Sequence, residues 1–393
     1  MFDALNRNLR YLFILNLAFG FSVQLITPLF PLFLLKLGAS ASENAMVISI
    51  GSLLSTILML PSGLLIDRIG RRVLLIGSAM VNMVSIGLLI FTKSWQQVIP
   101  VYMLHNASWA LFIPARMAMI TANSSLEKRS SVFGVMNTAW PIAGVISPMV
   151  SGYLIESMGW NQVFIFGTVV NALALTTGFK IQRGESVETR SSIDGFRELL
   201  RRDILSSLFA FLFFGVTLRM AIGGVNMVIP LYLESRFSLT ASQIALFFTI
   251  QSLITLVTQI PSGLLADRYG RKRTILSLIF LIPFLIASWH FIGDWRIMLV
   301  LNSIAYGLFS MTWPATLSLL SSSVPSNLVG AAFGVYFTGN RLGQTIGPVI
   351  ASYFYVNYYR TAPFLAAGAI SLLAFLFALR LKDKGQKQST RIA

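Results

Sequence analysis

Stretches of about 20 apolar residues return again and again along this chain, and nothing else in it limits the fold as strongly. Each is long enough to cross the ~30 Å hydrocarbon core of a bilayer as a helix. They read as spans at 11–35, 43–66, 73–92, 98–122, 132–155, 161–180, 204–233, 241–266, 274–293, 296–321, 330–356 and 362–380. In lipid only helices and closed barrels satisfy their own backbone polar groups, and unbroken apolar runs of this length exclude barrel strands. The expected fold is therefore an all-α membrane protein of twelve transmembrane helices. Composition agrees: 11% of residues are charged, where a soluble domain carries about 25%. The first span is too long for a cleaved signal peptide and is expected to stay as a helix.

A net charge of +16 could suggest nucleic acid, but the placement of the charge excludes that reading. The termini and every second loop between spans hold 22 Lys and Arg, against 5 in the remaining loops. Such asymmetry follows the positive-inside rule, so both termini are expected in the cytoplasm and the protein in the cytoplasmic (inner) membrane. There are no cysteines, so disulfides and thiol chemistry are absent.

The chain also repeats itself at an offset of 200 residues. PSGLLIDRIGRR at 61–72 returns as PSGLLADRYGRK at 261–272, Pro114-Ala115 as Pro314-Ala315, and Phe133-Gly134-Val135 as Phe333-Gly334-Val335. The offset covers six spans, an even number, so the halves should be parallel copies related by an axis along the membrane normal. The expected organisation is a bundle at 1–180, a polar linker at 181–203 and a second bundle with a short tail at 204–393. Within the linker, Asp194 could cap a short interfacial helix with Phe196, Leu199 and Leu200 on its apolar edge.

The repeated hairpin carries Gly63, Asp67, Arg68, Gly70 and Arg71 in one half and Gly263, Asp267, Arg268, Gly270 and Arg271 in the other. Gly70 and Gly270 suit a tight turn, and the basic residues suit the headgroup layer. This doubled motif resembles the signature loop of the major facilitator superfamily, over essentially the whole chain. The resemblance implies a carrier working by alternating access and existing as a monomer. It also implies that Asp67, with Glu127 and the hairpin cations, latches one conformation. Gly144, Ser147, Pro148 and Gly152 in the fifth span look like the family's antiporter motif. The eleventh span carries a similar run, Gly339, Gly343, Gly347 and Pro348, which makes close helix packing a sufficient reason for both. The short-loop, drug-antiporter-like members are nearest in pattern.

Residues that break the internal repeat are better candidates for contact with cargo than those that keep it. Arg116, Arg219 and Arg341 lie inside spans, opposite Thr316, Phe19 and Pro141. A charge at mid-bilayer costs about 2.5–3.5 kcal/mol on the mildest scale, so each needs a compensating role. All 14 acidic residues fall in loops or at span ends, which leaves the interior cationic. Guanidinium groups bind carboxylate and phosphate in a two-pronged fashion, so an anionic or acidic organic solute is the expected cargo. His105, Trp109, Phe112 and Arg116 share one face of the fourth span. Gln24, Trp140, Asn226, Trp313 and Asn340 complete the candidate lining, and the resemblance implies that the spans bearing the arginines surround a central path.

Two other classes compete with an anion carrier. One is a drug/proton antiporter exporting lipophilic compounds; the other is a membrane receptor or scaffold that transports nothing. An enzyme is not expected, since there is no phosphate-binding glycine loop, no thiol and no metal-ligand spacing between the two histidines. No cofactor or metal is expected either. A gradient of protons or a counter-solute would supply the energy, and His105 is the one group near the path that titrates around neutrality.

Overall fold

The computed structural model describes residues 6–124, 129–182, 202–325 and 328–381. All elements among them are helices: α1 (Arg7–Ile26), α2 (Phe30–Lys36), α3 (Ala41–Ile69), α4 (Arg71–Leu88), α5 (Trp95–Ala122), α6 (Arg129–Ser157), α7 (Trp160–Phe179), α8 (Arg202–Phe237), α9 (Ala241–Tyr269), α10 (Arg271–Ser288), α11 (Trp295–Ser323), α12 (Val329–Asn357) and α13 (Ala362–Leu379). Twelve of these thirteen are long, and eleven are both long and apolar enough to cross a membrane. The twelfth long helix, α12, has 29 residues and carries Asn340, Arg341 and Gln344 along its middle.

Local chemistry sets the helix ends. Asn6 caps α1 by accepting from the Leu9 N–H at 2.9 Å. Ser40 and Glu43 form a capping box at the start of α3. Gly70 and Gly270 turn their hairpins at φ 87° and 88°, a conformation that a Cβ would strain. Proline marks one departure from the expected spans. The span at 11–35 is broken between α1 and α2, where Pro28 and Pro31 remove two backbone donors within four residues. In α8 a single proline, Pro230, sits inside an unbroken helix of 36 residues.

Contacts divide the chain into two compact units: Met1–Thr189 with Ile229–Leu253, and Arg190–Val228 with Ile254–Ala393. The first thus takes α1 to α7 with the C-terminal end of α8 and the N-terminal part of α9. Residues 183–201 of the expected linker, with the proposed helix behind Asp194, lie outside the described residues.

Within the first unit, α1 packs on α6 and α7, and α4 packs on α5 and α7. α3 lies close along α5, where a Cβ on Gly51 would run into the Tyr102 ring. Phe19 and Phe112 stack at 4.0 Å in the core, both fully buried. Deeper in the bundle Asn82 donates to Ser22 Oγ at 3.1 Å and to Asn171 Oδ1 at 3.4 Å, and accepts from Ser108 at 3.5 Å. This buried polar knot ties α4 to α1, α7 and α5. The positions 200 residues on are Ile222, Ile282, Leu308 and Ser371. The end of α6 also meets the start of α9: Gly152 lies against Ser242 and Ala245, and the Ser242 N–H donates to Glu156 at 2.8 Å.

In the second unit α10 packs on α11 and α13. α12 presses on α8 so closely that a Cβ on Gly343 or Gly347 would overlap the carbonyl oxygens of Val216 and Met220. Each unit exposes large apolar side chains, Phe91 and Leu173 in the first and Phe284 and Phe291 in the second. Exposed apolar surface of that kind belongs against acyl chains.

Candidate functional site

Arg116 sits on α5 and is 6% exposed within the first unit. It donates to Asn16 Oδ1 on α1 at 3.1 Å and to Asn137 Oδ1 on α6 at 3.5 Å. The partners are neutral amide oxygens, and its Nε has none among the described residues. Asn16 is fixed in turn, donating to the Met136 carbonyl at 2.8 Å and accepting from Trp140 Nε1 at 3.2 Å. Trp109 lies against Trp140 with ring centres 4.5 Å apart. The helical spacing of 109, 112 and 116 places Trp109, Phe112 and Arg116 on one side of α5, where Trp140 of α6 meets Trp109. His105 is buried and stacks near Tyr102 at 5.7 Å. Gln24 belongs to this unit as well, and its amide nitrogen would meet a Cβ placed on Gly144.

Arg219, on α8, is half-buried in the second unit. Its guanidinium lies 4.9 Å from the Phe309 ring centre and 5.4 Å from that of Trp313, both on α11. An arginine held over two aromatic faces gains cation–π attraction while its hydrogen-bond donors stay at the rim. Trp313 in turn faces Phe337 at 5.8 Å and Tyr336 at 6.2 Å. Asn226 accepts a short hydrogen bond from the Tyr306 hydroxyl. Asn340 is turned back on its own helix, donating to the Tyr336 carbonyl at 2.9 Å. Arg341, half-buried on α12, is engaged within the structure.

Two aromatic residues of this cluster escape the sequence pattern, Phe309 and Tyr336. Phe309 could have been found, because it stands 200 residues after Trp109 and follows Tyr306 by three and precedes Trp313 by four. The repeat makes the comparison sharp. At the position where Arg219 lies over Phe309, the first unit has Phe19 edge-on to Trp109 at 6.1 Å.

The hairpins contribute a contact that the motif alone does not reveal. Arg72 donates to the Phe179 carbonyl at the end of α7 at 2.7 Å. Lys272 donates to the Leu379 carbonyl at the end of α13 at 2.9 Å, again 200 residues on. Arg271 reaches the Ser318 carbonyl at 3.4 Å, and Arg68 is exposed. Of the expected latch, Glu127 lies outside the described residues, as do the surroundings of Gly63 and the side chains of Asp67 and Asp267.

Long apolar helices in a chain that repeats itself define a multi-pass membrane protein. The model of the Major Facilitator Superfamily matches residues 12–234 and 211–392, and the chain belongs to that family. Among its relatives, Multidrug resistance protein 2 of Bacillus subtilis (strain 168) is 24% identical, with 92% of each chain covered. The multi-drug resistance efflux pump PmrA homolog of Lactococcus lactis is 25% identical, with 86% of each covered. Two solved structures share the fold. The human organic anion transporter MFSD10 (TETRAN) is 17% identical at a TM-score of 0.73, covering 95% of this chain and 99% of that one. A point mutant of the nucleoside transporter NupG is 13% identical at 0.78, covering 96% and 100%.

Proposed function

We propose that this carrier moves a small organic solute with an anionic or acidic group across the cytoplasmic membrane by alternating access. The observation that carries the reading is the partnership of Arg116: a buried guanidinium met by amide oxygens and by no carboxylate among the described residues. Amides meet two of its nitrogens without neutralising its charge, so a carboxylate or phosphate is the better partner. Arg219 over Phe309 and Trp313 adds a cation beside flat aromatic faces, which suits an acid with an unsaturated or ring-bearing body. Arg341, Gln24, Trp109, Trp140, Asn226 and Asn340 are the further residues proposed to meet cargo. The charge asymmetry supports cytoplasmic termini. The hairpin motif supports a latch through Asp67, Glu127 and Asp267 with Arg68, Arg71, Arg268 and Arg271, and His105 is the group proposed to carry a coupling proton.

The test is counterflow in proteoliposomes. Purified protein should exchange labelled aromatic carboxylates, and uptake of lipophilic cationic dyes with no exchange of organic anions would end the reading. A second reading, proton-driven export of lipophilic drugs, is favoured by the names of the Bacillus and Lactococcus relatives. Dye extrusion driven by an imposed pH gradient would select it.

A further inference from the structure

The hairpin between α9 and α10 borders an open cleft of about 280 Å³, lined by Leu265, Tyr269, Arg273, Thr274, Ser277 and Leu278. It lies at the end of the second unit where basic residues collect, outside the clusters around Arg116 and Arg219. Two of the hairpin cations are occupied, Arg271 on the Ser318 carbonyl and Lys272 on that of Leu379. Of the other two, Arg268 lies over the Tyr269 ring at 5.4 Å, and the Arg273 guanidinium is exposed with no partner among the described residues.

The exposed face of α10 changes character along its length. It begins with Arg273 and Ser277 at the mouth of the cleft and continues as Phe280, Leu281 and Phe284, each about half exposed. Tyr269, 54% exposed, stands where a membrane protein places its interfacial aromatic residues. A cation, hydroxyls and a phenol therefore sit at headgroup depth, directly above an apolar track at acyl-chain depth.

The internal repeat supplies a control. The corresponding residues of the first hairpin are Ile69, Val73, Leu74 and Gly77, with Met80 and Val84 further along the exposed face. Ser78, opposite Leu278, is buried where Ser277 is exposed, each hydroxyl donating to a carbonyl of its own helix. Turn geometry is the same in both hairpins, so neither topology nor the turn demands Arg273, Tyr269 or Ser277 in one copy alone.

We infer that the α9–α10 cleft binds an anionic phospholipid of the leaflet on the side of the termini, its phosphodiester against Arg273 and Tyr269 and its acyl chains along Phe280, Leu281 and Phe284. Charge complementarity selects the headgroup and the apolar track selects a lipid over a free phosphoryl anion. The inference needs the membrane placement of the chain and is independent of which solute it carries.

Native mass spectrometry of the purified full-length protein counts bound lipid directly. Phosphatidylglycerol should be retained in preference to phosphatidylcholine of the same chain length. Arg273→Ala and Arg273→Gln should each lower phosphatidylglycerol affinity about fivefold, and Arg273→Lys should retain it. Equal retention of the two lipids, or full binding by both neutral variants, would overturn the assignment. Displacement of the lipid by glycerol 3-phosphate at equal concentration would do so too, by showing that the cleft takes a soluble phosphoryl group.

Discussion

Arg116 and Asn16 are joined across the first unit by a 3.1 Å hydrogen bond, and the same Asn16 oxygen accepts from Trp140 at 3.2 Å. Both lone pairs of one amide oxygen are thereby used, one on a charge and one on an indole. Replacing Asn16 by Leu should cost about 1–3 kcal/mol, because two buried donors lose their acceptor together. Thermal unfolding in detergent, followed by tryptophan fluorescence, would show it.

Removing the charge while keeping donors separates cargo from scaffold. Arg116→Gln should leave the melting temperature near that of the parent and lower exchange of organic anions about tenfold or more. Unchanged exchange would take Arg116 out of the cargo site.

Arg219→Phe gives the second half the residue that the first half carries at this place. The ring should pack on Phe309 and Trp313 much as Phe19 packs on Trp109 and Phe112, so folding should survive. Transport of acids should fall about tenfold, while uptake of a neutral aromatic competitor stays. Paired counterflow assays would distinguish the two outcomes.

Two glycines of α12 should respond in opposite directions. Gly347→Ala drives a methyl into the Met220 carbonyl and should cost about 1–3 kcal/mol. Gly334→Ala meets open space and should be neutral or stabilising by up to about 1 kcal/mol through helix propensity. Melting temperatures of the two single variants check both signs.

Arg72 and Lys272 each place a positive group on the C-terminal carbonyls of a neighbouring helix, at equivalent places in the two repeats. Arg72→Ala and Lys272→Ala should each lose about 0.3–1 kcal/mol. The loss should show as faster amide exchange confined to the end of α7 in the first variant and to the end of α13 in the second.

Much of the architecture is legible in the sequence, and for identifiable reasons. Apolar run length requires helices in lipid, and the return of PSGLL-x-DR-x-GR at a 200-residue offset reveals the duplication. The break after Ile26 is not legible, because hydropathy is blind to whether Pro28 and Pro31 act together. Spacing puts Arg116 on a polar face, since position along a helix fixes direction. Its amide partners stay hidden, because Asn16 and Asn137 lie 100 and 21 residues away and nothing local marks the pairing. Phe309 escapes because a phenylalanine in an apolar helix carries no local mark of the cation that lies over its ring. The roles of Arg72 and Lys272 are masked by the headgroup chemistry that already accounts for basic residues there.

The knot of Asn82, Ser22, Asn171 and Ser108 has a mechanical consequence. Oil offers helices little reason to prefer one another, so directional bonds decide how firmly a cluster holds its shape. The first repeat is stitched across four helices at this point, whereas its twin has Ile222, Ile282 and Leu308 there, and the fourth residue, Ser371, bonds only its own helix. Pulled from a bilayer by its ends, the chain should surrender the later repeat at lower force, leaving the earlier one as the stiffer of the pair.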